Sequence, residues 1–180
     1  VGVQAAQTTH SARQAIHRIL HGADASIGPL ICHGAVERMP VGEGIIGDLI
    51  QPTTQDPLLW DATTSNALNL AGPDAAYASI YAASGETQAG VSFLGGGATN
   101  AFAWKGTPES SIDRHPEGWD NSLINATDGT YYGGEVDRLV SATFTENAAL
   151  WSDTTDTLIL MNPDNFKYTV INAMAGGRFA

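Results

Sequence analysis

The chain has 180 residues, of which 43% are hydrophobic, which is sufficient for one domain with a buried core. Its net charge of −11 argues against nucleic acids and anionic membranes as partners, because binding either of them needs clustered Lys and Arg. The charge is uneven: residues 1–40 hold three Arg against two acids, and residues 41–180 hold five bases against seventeen acids. No apolar run approaches the roughly 20 residues that cross a bilayer.

The first predicted element is an α-helix over residues 9–22. Ser11 followed by Gln14 fits a capping box, in which each side chain satisfies a free amide at the start of the helix. Gly22 is suited to end the helix in the left-handed conformation. At 100° per residue, an apolar stripe is formed by Ala12, Ile16, Ile19 and Leu20.

From residue 25 onward, short apolar or alternating runs recur between Gly, Pro, Asn and Asp, a pattern typical of strands and turns. In Ala75–Ala82, tyrosine and serine alternate with alanine and isoleucine, as on a half-buried strand. We therefore predict a mainly β fold, an antiparallel β-sandwich or barrel, with the N-terminal α-helix before it. Residues 1–24 form the arm and helix, and residues 25–180 form a single β-rich domain.

Residues 106–134 differ from the rest of the predicted β domain, because they combine two prolines, five glycines and several acids. This composition predicts one long loop excursion, and loops of such length in compact domains are often functional. Trp119, Tyr131 and Tyr132 lie in it and are candidate partner contacts. The alternative is a surface loop without a partner.

No group of residues matches a catalytic motif, so we predict no catalytic residue, no metal and no cofactor. Cys32 is the one cysteine, which excludes an intrachain disulfide. His17 and His21 have the one-turn spacing of helical zinc ligands, but the intervening residues lack the glutamate of the HExxH motif. A solvated or interface-facing His pair is the preferred interpretation. A calcium site is a further alternative, with loop acids as ligands: Asp113, Glu117, Asp120 and Asp128.

The region Gly44–Thr107 resembles the structural proteins of tailed-virus particles, particularly head decoration (cement) proteins. The residues that carry the resemblance are Gly47-Asp48-Leu49-Ile50, Pro57 to Thr64, Ala75 to Ala82 and Gly90-Val91-Ser92-Phe93. The resemblance covers about a third of the chain. It implies a non-enzymatic virion protein that associates with itself, as a trimer in lambda-type decoration proteins, and with the major capsid protein.

The N-terminal region supplies the basic residues for such a contact, and its candidate contacts are Arg13, His17, Arg18, His21 and Arg38. An acidic body would then face outward. One alternative function is a secreted carbohydrate- or ligand-binding β module that uses Trp119, Tyr131 and Tyr132. A second alternative is a metal-dependent hydrolase that uses the two helical histidines and the loop acids.

Overall fold

The computed structural model describes residues 30–39, 42–50, 55–61, 66–71, 77–94, 97–140, 143–155, 157–163 and 166–180. These residues are mainly β and their strands are mostly antiparallel, as predicted. The predicted helix over 9–22, and the arm that contains it, lie outside the described residues. The part of the chain that is described holds no helix of the length and hydropathy needed to cross a membrane.

Sheet A contains eight strands, and its hydrogen-bonded order is β1-β2-β3-β5-β6-β7-β8, with β4 also paired to β3. Neighbouring strands are antiparallel, except for a single parallel pair between Gln55 and Tyr77. The predicted strand in Ala75–Ala82 is confirmed as β5. The strands are β1 Leu30–Met39, β2 Gly42–Ile50, β3 Gln55–Asp61, β4 Ala67–Asn69, β5 Tyr77–Ser84, β6 Thr87–Leu94, β7 Ala98–Trp104 and β8 Ile112–Asp113.

Sheet B contains four strands in the order β12-β11-β10-β9, and a small hairpin of β13 and β14 follows it. Within the described ranges neither large sheet closes on itself. The strands are β9 Asn121–Thr127, β10 Tyr131–Val140, β11 Thr143–Ser152, β12 Leu158–Leu160, β13 Met174–Ala175 and β14 Arg178–Phe179. A short 3₁₀ turn, Pro108–Ser110, precedes β8.

The two sheets share one apolar core, to which each contributes the residues of one face. Its members are Ala89, Ala101 and Ala103 from sheet A, with Ile124, Tyr132, Val136, Ala149 and Trp151 from sheet B. The small alanines of sheet A leave room for the large aromatic side chains of sheet B, which lets the layers interdigitate. A second core lies within sheet A: Ile46, Leu59, Leu70, Ala78, Ile80 and Trp104.

The C-terminal segment, residues 166–180, covers the outer face of sheet B. Ile171 packs with Ala148 and Leu150 of β11, together with the partly buried Met161 and Met174. Its backbone N–H also donates to the carbonyl of Gly134 at 3.1 Å. The outer face of sheet B is therefore only partly available to solvent.

The prediction of one long loop over 106–134 is wrong, because β9 and the start of β10 occupy its second half. The buried positions of β9 include Ser122 and Ala126, which give no apolar signal in the sequence. At Gly134 in β10, a Cβ would lie 2.0 Å from the carbonyl oxygen of Leu123 on the neighbouring strand β9. The glycine therefore permits a close approach of β9 to β10. Because β9 and the start of β10 contain many small and polar residues, the sequence pattern did not indicate that they form buried strands.

Candidate functional site

A charged cluster around Asp153 joins the two sheets. Its carboxylate accepts hydrogen bonds from Tyr132 Oη at 2.7 Å and Lys105 Nζ at 2.7 Å, and from Arg114 Nη2 at 3.3 Å. The Arg114 and Asp153 side chains are 5% and 13% exposed, and Lys105 is 47% exposed. The Arg114 guanidinium also lies 5.5 Å above the Tyr132 ring. One carboxylate therefore links residues of both layers.

The proton affinities in this cluster keep its charges fixed near neutral pH. Burial alone would raise the pKa of Asp153, but hydrogen bonds from Lys105 and Tyr132, and the positive charges of Lys105 and Arg114, lower it. Burial raises the pKa of Tyr132, and the adjacent Asp153 carboxylate raises it further. With the acid ionised and the phenol neutral, the hydrogen bonds of the Asp153 cluster hold the two sheets together near neutral pH.

His115, the only histidine in the predicted loop, is held in a hydrogen-bonded chain. Its Nε2 lies 3.1 Å from the Trp119 carbonyl oxygen, and its Nδ1 lies 2.8 Å from Ser122 Oγ. Because a carbonyl only accepts, Nε2 carries the proton, and Nδ1 accepts from the serine hydroxyl. Ser122 Oγ in turn accepts the backbone N–H of Ala101 at 2.9 Å. Nδ1 therefore ties this loop to β9, and Nε2 closes a turn within the loop.

A buried polar cluster fastens three strands of sheet A. Asp48, which is 1% exposed, accepts from Gln55 Nε2 at 3.0 Å and from the Ile80 N–H at 3.2 Å. The same Gln55 nitrogen lies 2.5 Å from Ser79 Oγ. Burial raises the pKa of the nearby Tyr81, and the negative charge of Asp48 adds to this effect, although a hydrogen bond with Ser79 opposes it. These groups specify the strand pairing by hydrogen bonding.

Three acids share the outer face of sheet B: Glu135 and Asp137 on β10 and Glu146 on β11. Asp137 pairs with Glu146 across the strands, which places Glu135 diagonally next to Glu146. Burial raises the pKa of Glu135 to about 7. A hydrogen bond with Glu146 contributes to this rise, as do the negative charges of Glu146 and Asp137. Asn121 Nδ2 donates to Asp137 at 2.8 Å.

Among the described residues, no group of three or more His, Cys, Asp or Glu is placed to hold a metal ion.

The loop acids considered for calcium do not converge in the structure. Asp113 accepts the N–H of His115 at 2.8 Å, and Asp120 accepts the N–H of Leu139 at 2.7 Å. Asp128 accepts three backbone N–H groups, from Thr130, Tyr131 and Gly177. These carboxylates thus satisfy backbone amides at separate places, Asp113 in its own turn and Asp120 on the neighbouring strand β10.

The three aromatic candidates occupy different environments. Tyr132 is 1% exposed and lies in the core, so its prediction as a partner contact is wrong. Alternation along β10 accounts for this, because Tyr131 points outward and is 37% exposed. Trp119 packs partly against the core, and the Arg138 guanidinium lies 5.3 Å above its ring. The three side chains do not form one platform.

The basic candidates lie mostly outside the described residues: Arg13, His17, Arg18 and His21. Arg38 lies on β1, but its side chain is outside the description. No sequence pattern indicated that Arg114 and Asp153 contact each other. A possible signal was the scarcity of bases: an arginine flanked by strands in an acidic chain has many possible carboxylate partners.

Several exposed apolar side chains lie on sheet B and on the segment that follows it. We name this set the sheet B margin, and it consists of Leu139, Val140, Ile159, Leu160, Phe166 and Tyr168, between 46% and 64% exposed. Strand pairing sets Leu139 of β10 against Phe144, Tyr168 against Glu146 and Ile159 of β12 against Leu150. These residues therefore lie on both sides of β11, spread over roughly 20 Å of its length at about 3.3 Å per residue. Exposed apolar patches of several hundred Å² commonly mark contact surfaces.

In comparisons with protein-family models and with curated proteins, nothing matches this chain.

Proposed function

We propose that this chain is a non-enzymatic structural component of a virus particle, of the head decoration (cement) type or another virion accessory. It binds the shell through protein–protein contacts, and its partners are further copies of itself and the major capsid protein. In this proposal the two facing sheets form a β-sandwich that serves as a rigid scaffold. The sheet B margin is the observation that carries the proposal, because it exposes apolar side chains on a stable framework.

The internal polar clusters support a scaffold role. The Asp153 cluster connects the sheets, and the His115 chain attaches the intervening loop to β9. The ionisable side chains of these two groups are thus hydrogen-bonded within the fold and hold the two sheets together. A protein that is present in many copies on a closed shell needs stable presentation of its surface, and each individual contact can be modest.

The charge distribution supports a division of labour between the two parts of the chain. Residues 41–180 carry five bases against seventeen acids, whereas Arg13, Arg18 and Arg38 all lie within residues 1–40. In this proposal the basic N-terminal part binds a complementary acidic surface of the shell, and the acidic body faces outward. Opposite charges across such an interface steer association and orient the partners.

The test is co-sedimentation of the full chain with capsids assembled from the major capsid protein encoded in the same genome. We expect saturable binding by the wild type and at least ten-fold weaker binding by the double variant R13E/R18E. A matched control, R178E, changes an exposed base on β14, outside the basic region and outside the Asp153 cluster, and should bind as the wild type does. Absence of saturable binding by the wild type would contradict the shell role. Equal binding by the double variant would contradict the basic contact alone.

A further inference from the structure

The C-terminal segment, residues 166–180, bonds to sheet B at one of the three acids of its outer face. The Glu146 N–H donates to the Lys167 carbonyl at 3.1 Å, and the Thr169 N–H donates to the Glu146 carbonyl at 3.1 Å. The Ala148 N–H, further along β11, donates to Thr169 Oγ1 at 2.8 Å. Both backbone groups of Glu146 are therefore used to hold the segment.

A second point of attachment lies next to Glu135 on β10. The Ile171 N–H donates to the carbonyl of Gly134, the residue before Glu135, at 3.1 Å. The Ile171 side chain packs on Ala148, which is paired across the strands with Glu135. A Cβ at Gly133, two residues before Glu135 on the same face, would lie 2.5 Å from Ile171. The segment therefore borders the Glu135 side chain, which is partly buried.

The charges that act on Glu135 are negative. Asp137 on β10 and Glu146 on β11 face it, whereas the β9 residues opposite these acids are uncharged. The C-terminal segment carries three side chains that can bear a charge, and all are exposed: Lys167, Tyr168 and Arg178. Among the described residues, neither base of the segment forms an ion pair with these acids. Ionisation of Glu135 therefore adds a third negative charge that no contacting base offsets.

Closure of the segment and ionisation of Glu135 oppose each other. Burial is the largest cause of the raised pKa of Glu135, and a segment that lifts away admits water to this carboxylate. The closed form therefore holds the Glu135 proton more tightly than the open form does. Closure is then most favourable below the ordinary pKa of 4.5 and weakens as the pH rises through the folded value of about 7.

We propose that the C-terminal segment is a pH-dependent cover of sheet B, which stays closed while Glu135 and Glu146 share a proton and opens locally when both are ionised. Opening exposes the apolar side chains of Ala148 and Leu150, which the segment covers. This goes beyond the proposed function, because the movement belongs to the isolated chain and requires no shell.

The experiment is amide hydrogen exchange of the full chain between pH 5 and 8, read as protection factors that are corrected for the intrinsic effect of pH. The protection of the Thr169 and Ile171 N–H groups should fall about ten-fold over this range, which corresponds to one unit of the pKa difference. Because the opening is local, both amides should stay less protected than the Leu70 N–H. This reference amide donates to the Pro57 carbonyl at 2.8 Å in sheet A.

Two variants test the acids directly. Glu135→Gln removes the titrating group and preserves its size, so the protection of Thr169 and Ile171 should be the same at pH 5 and 8. Glu146→Gln removes one negative neighbour, so the loss of protection should have its midpoint at a lower pH than in wild type. The matched control is Glu109→Gln, at an exposed acid on the 3₁₀ turn, which should behave as wild type.

Four results would overturn the proposal. The first is constant protection of Thr169 and Ile171 from pH 5 to 8 in wild type, and the second is a loss that persists in Glu135→Gln. The third is protection equal to that of Leu70 at every pH, because exchange would then report unfolding of the whole chain. The fourth is an unmoved midpoint in Glu146→Gln, which would show that the two carboxylates do not share a proton.

Discussion

Replacing Asp153 with alanine should destabilise the protein strongly, because this carboxylate is shared by both sheets. Its hydrogen bond from the Tyr132 hydroxyl, at 2.7 Å, involves a charged acceptor, and such bonds contribute about 1.5–3 kcal/mol. The pair with Arg114 is nearly buried, so its disruption adds about 1–2 kcal/mol, below the 3–5 kcal/mol of fully buried pairs. Lys105 is half exposed and adds at most about 1 kcal/mol. These contributions sum to about 2.5–6 kcal/mol.

Urea unfolding followed by tryptophan fluorescence at pH 7 measures this loss directly. Tyr132→Phe removes one hydroxyl and should cost about half as much as Asp153→Ala. Lys105→Ala, the exposed partner, should cost less than about 1 kcal/mol. The order of the three losses in unfolding free energy is a more stringent test of the cluster's role than any one value. If Asp153→Ala changed the free energy of unfolding by less than about 0.5 kcal/mol, the cluster would not fasten the sheets.

The pH dependence of this stabilisation has a definite sign. The pKa of Asp153 is lowered in the folded protein, so its contribution is fully present above the pKa of the unfolded chain, near 4. It is lost as the pH falls through the lower folded value. The difference in stability between wild type and Asp153→Ala should therefore be constant from pH 5 to 8 and shrink below about pH 4.

Three further predictions concern sheet B. Gly134→Ala should cost more than about 2 kcal/mol in urea unfolding, because its Cβ would lie 2.0 Å from the carbonyl oxygen of Leu123. For Glu135, a folded pKa of about 7 predicts stability that falls as the pH rises from about 4.5 through 7. Glu135→Gln should remove this fall and, after solvent screening, be about 1–2 kcal/mol more stable than wild type at pH 8. Arg138→Ala should cost about 1 kcal/mol and shift the fluorescence of Trp119, whose ring it covers.

Each of these predictions has an outcome that contradicts it. Gly133→Ala is the control for the first: its Cβ would meet side-chain atoms of Ile171 and Met174, which can shift more readily than the β9 backbone, so it should cost less. Equal costs for the two glycines would show that backbone crowding is not the cause. If the stability of Glu135→Gln changed with pH in the same way as that of wild type, the pKa of Glu135 would not be raised in the folded protein. Unchanged emission in Arg138→Ala would show that the guanidinium does not lie on the indole.

The β class was predictable because strand alternation is a local signal. In β5, the alternating run predicted the strand within two residues of its observed start, although Ser79 is buried together with Ala78 and Ile80. The pairing of β3 with β5 in parallel, by contrast, depends on how the chain returns to the sheet. No local pattern in the sequence encodes such a return.

The misread segment shows the limit of composition as a guide. Ser122 is buried because its hydroxyl bonds to both His115 and the Ala101 amide, a contact between distant parts of the chain. The Asp153 cluster is equally non-local, with partners 21 to 48 residues away. Burial of polar groups depends on such partners, and a sequence pattern does not identify them.

The covering of sheet B by the C-terminal segment has a consequence for the order in which the protein is made. Ala148 and Leu150 leave the ribosome before Ile171 and Met174, which shield them in the finished fold. Until residues 171 and 174 have also emerged, a growing chain therefore presents this apolar face unprotected. Transiently exposed apolar surface of this kind favours aggregation during that interval.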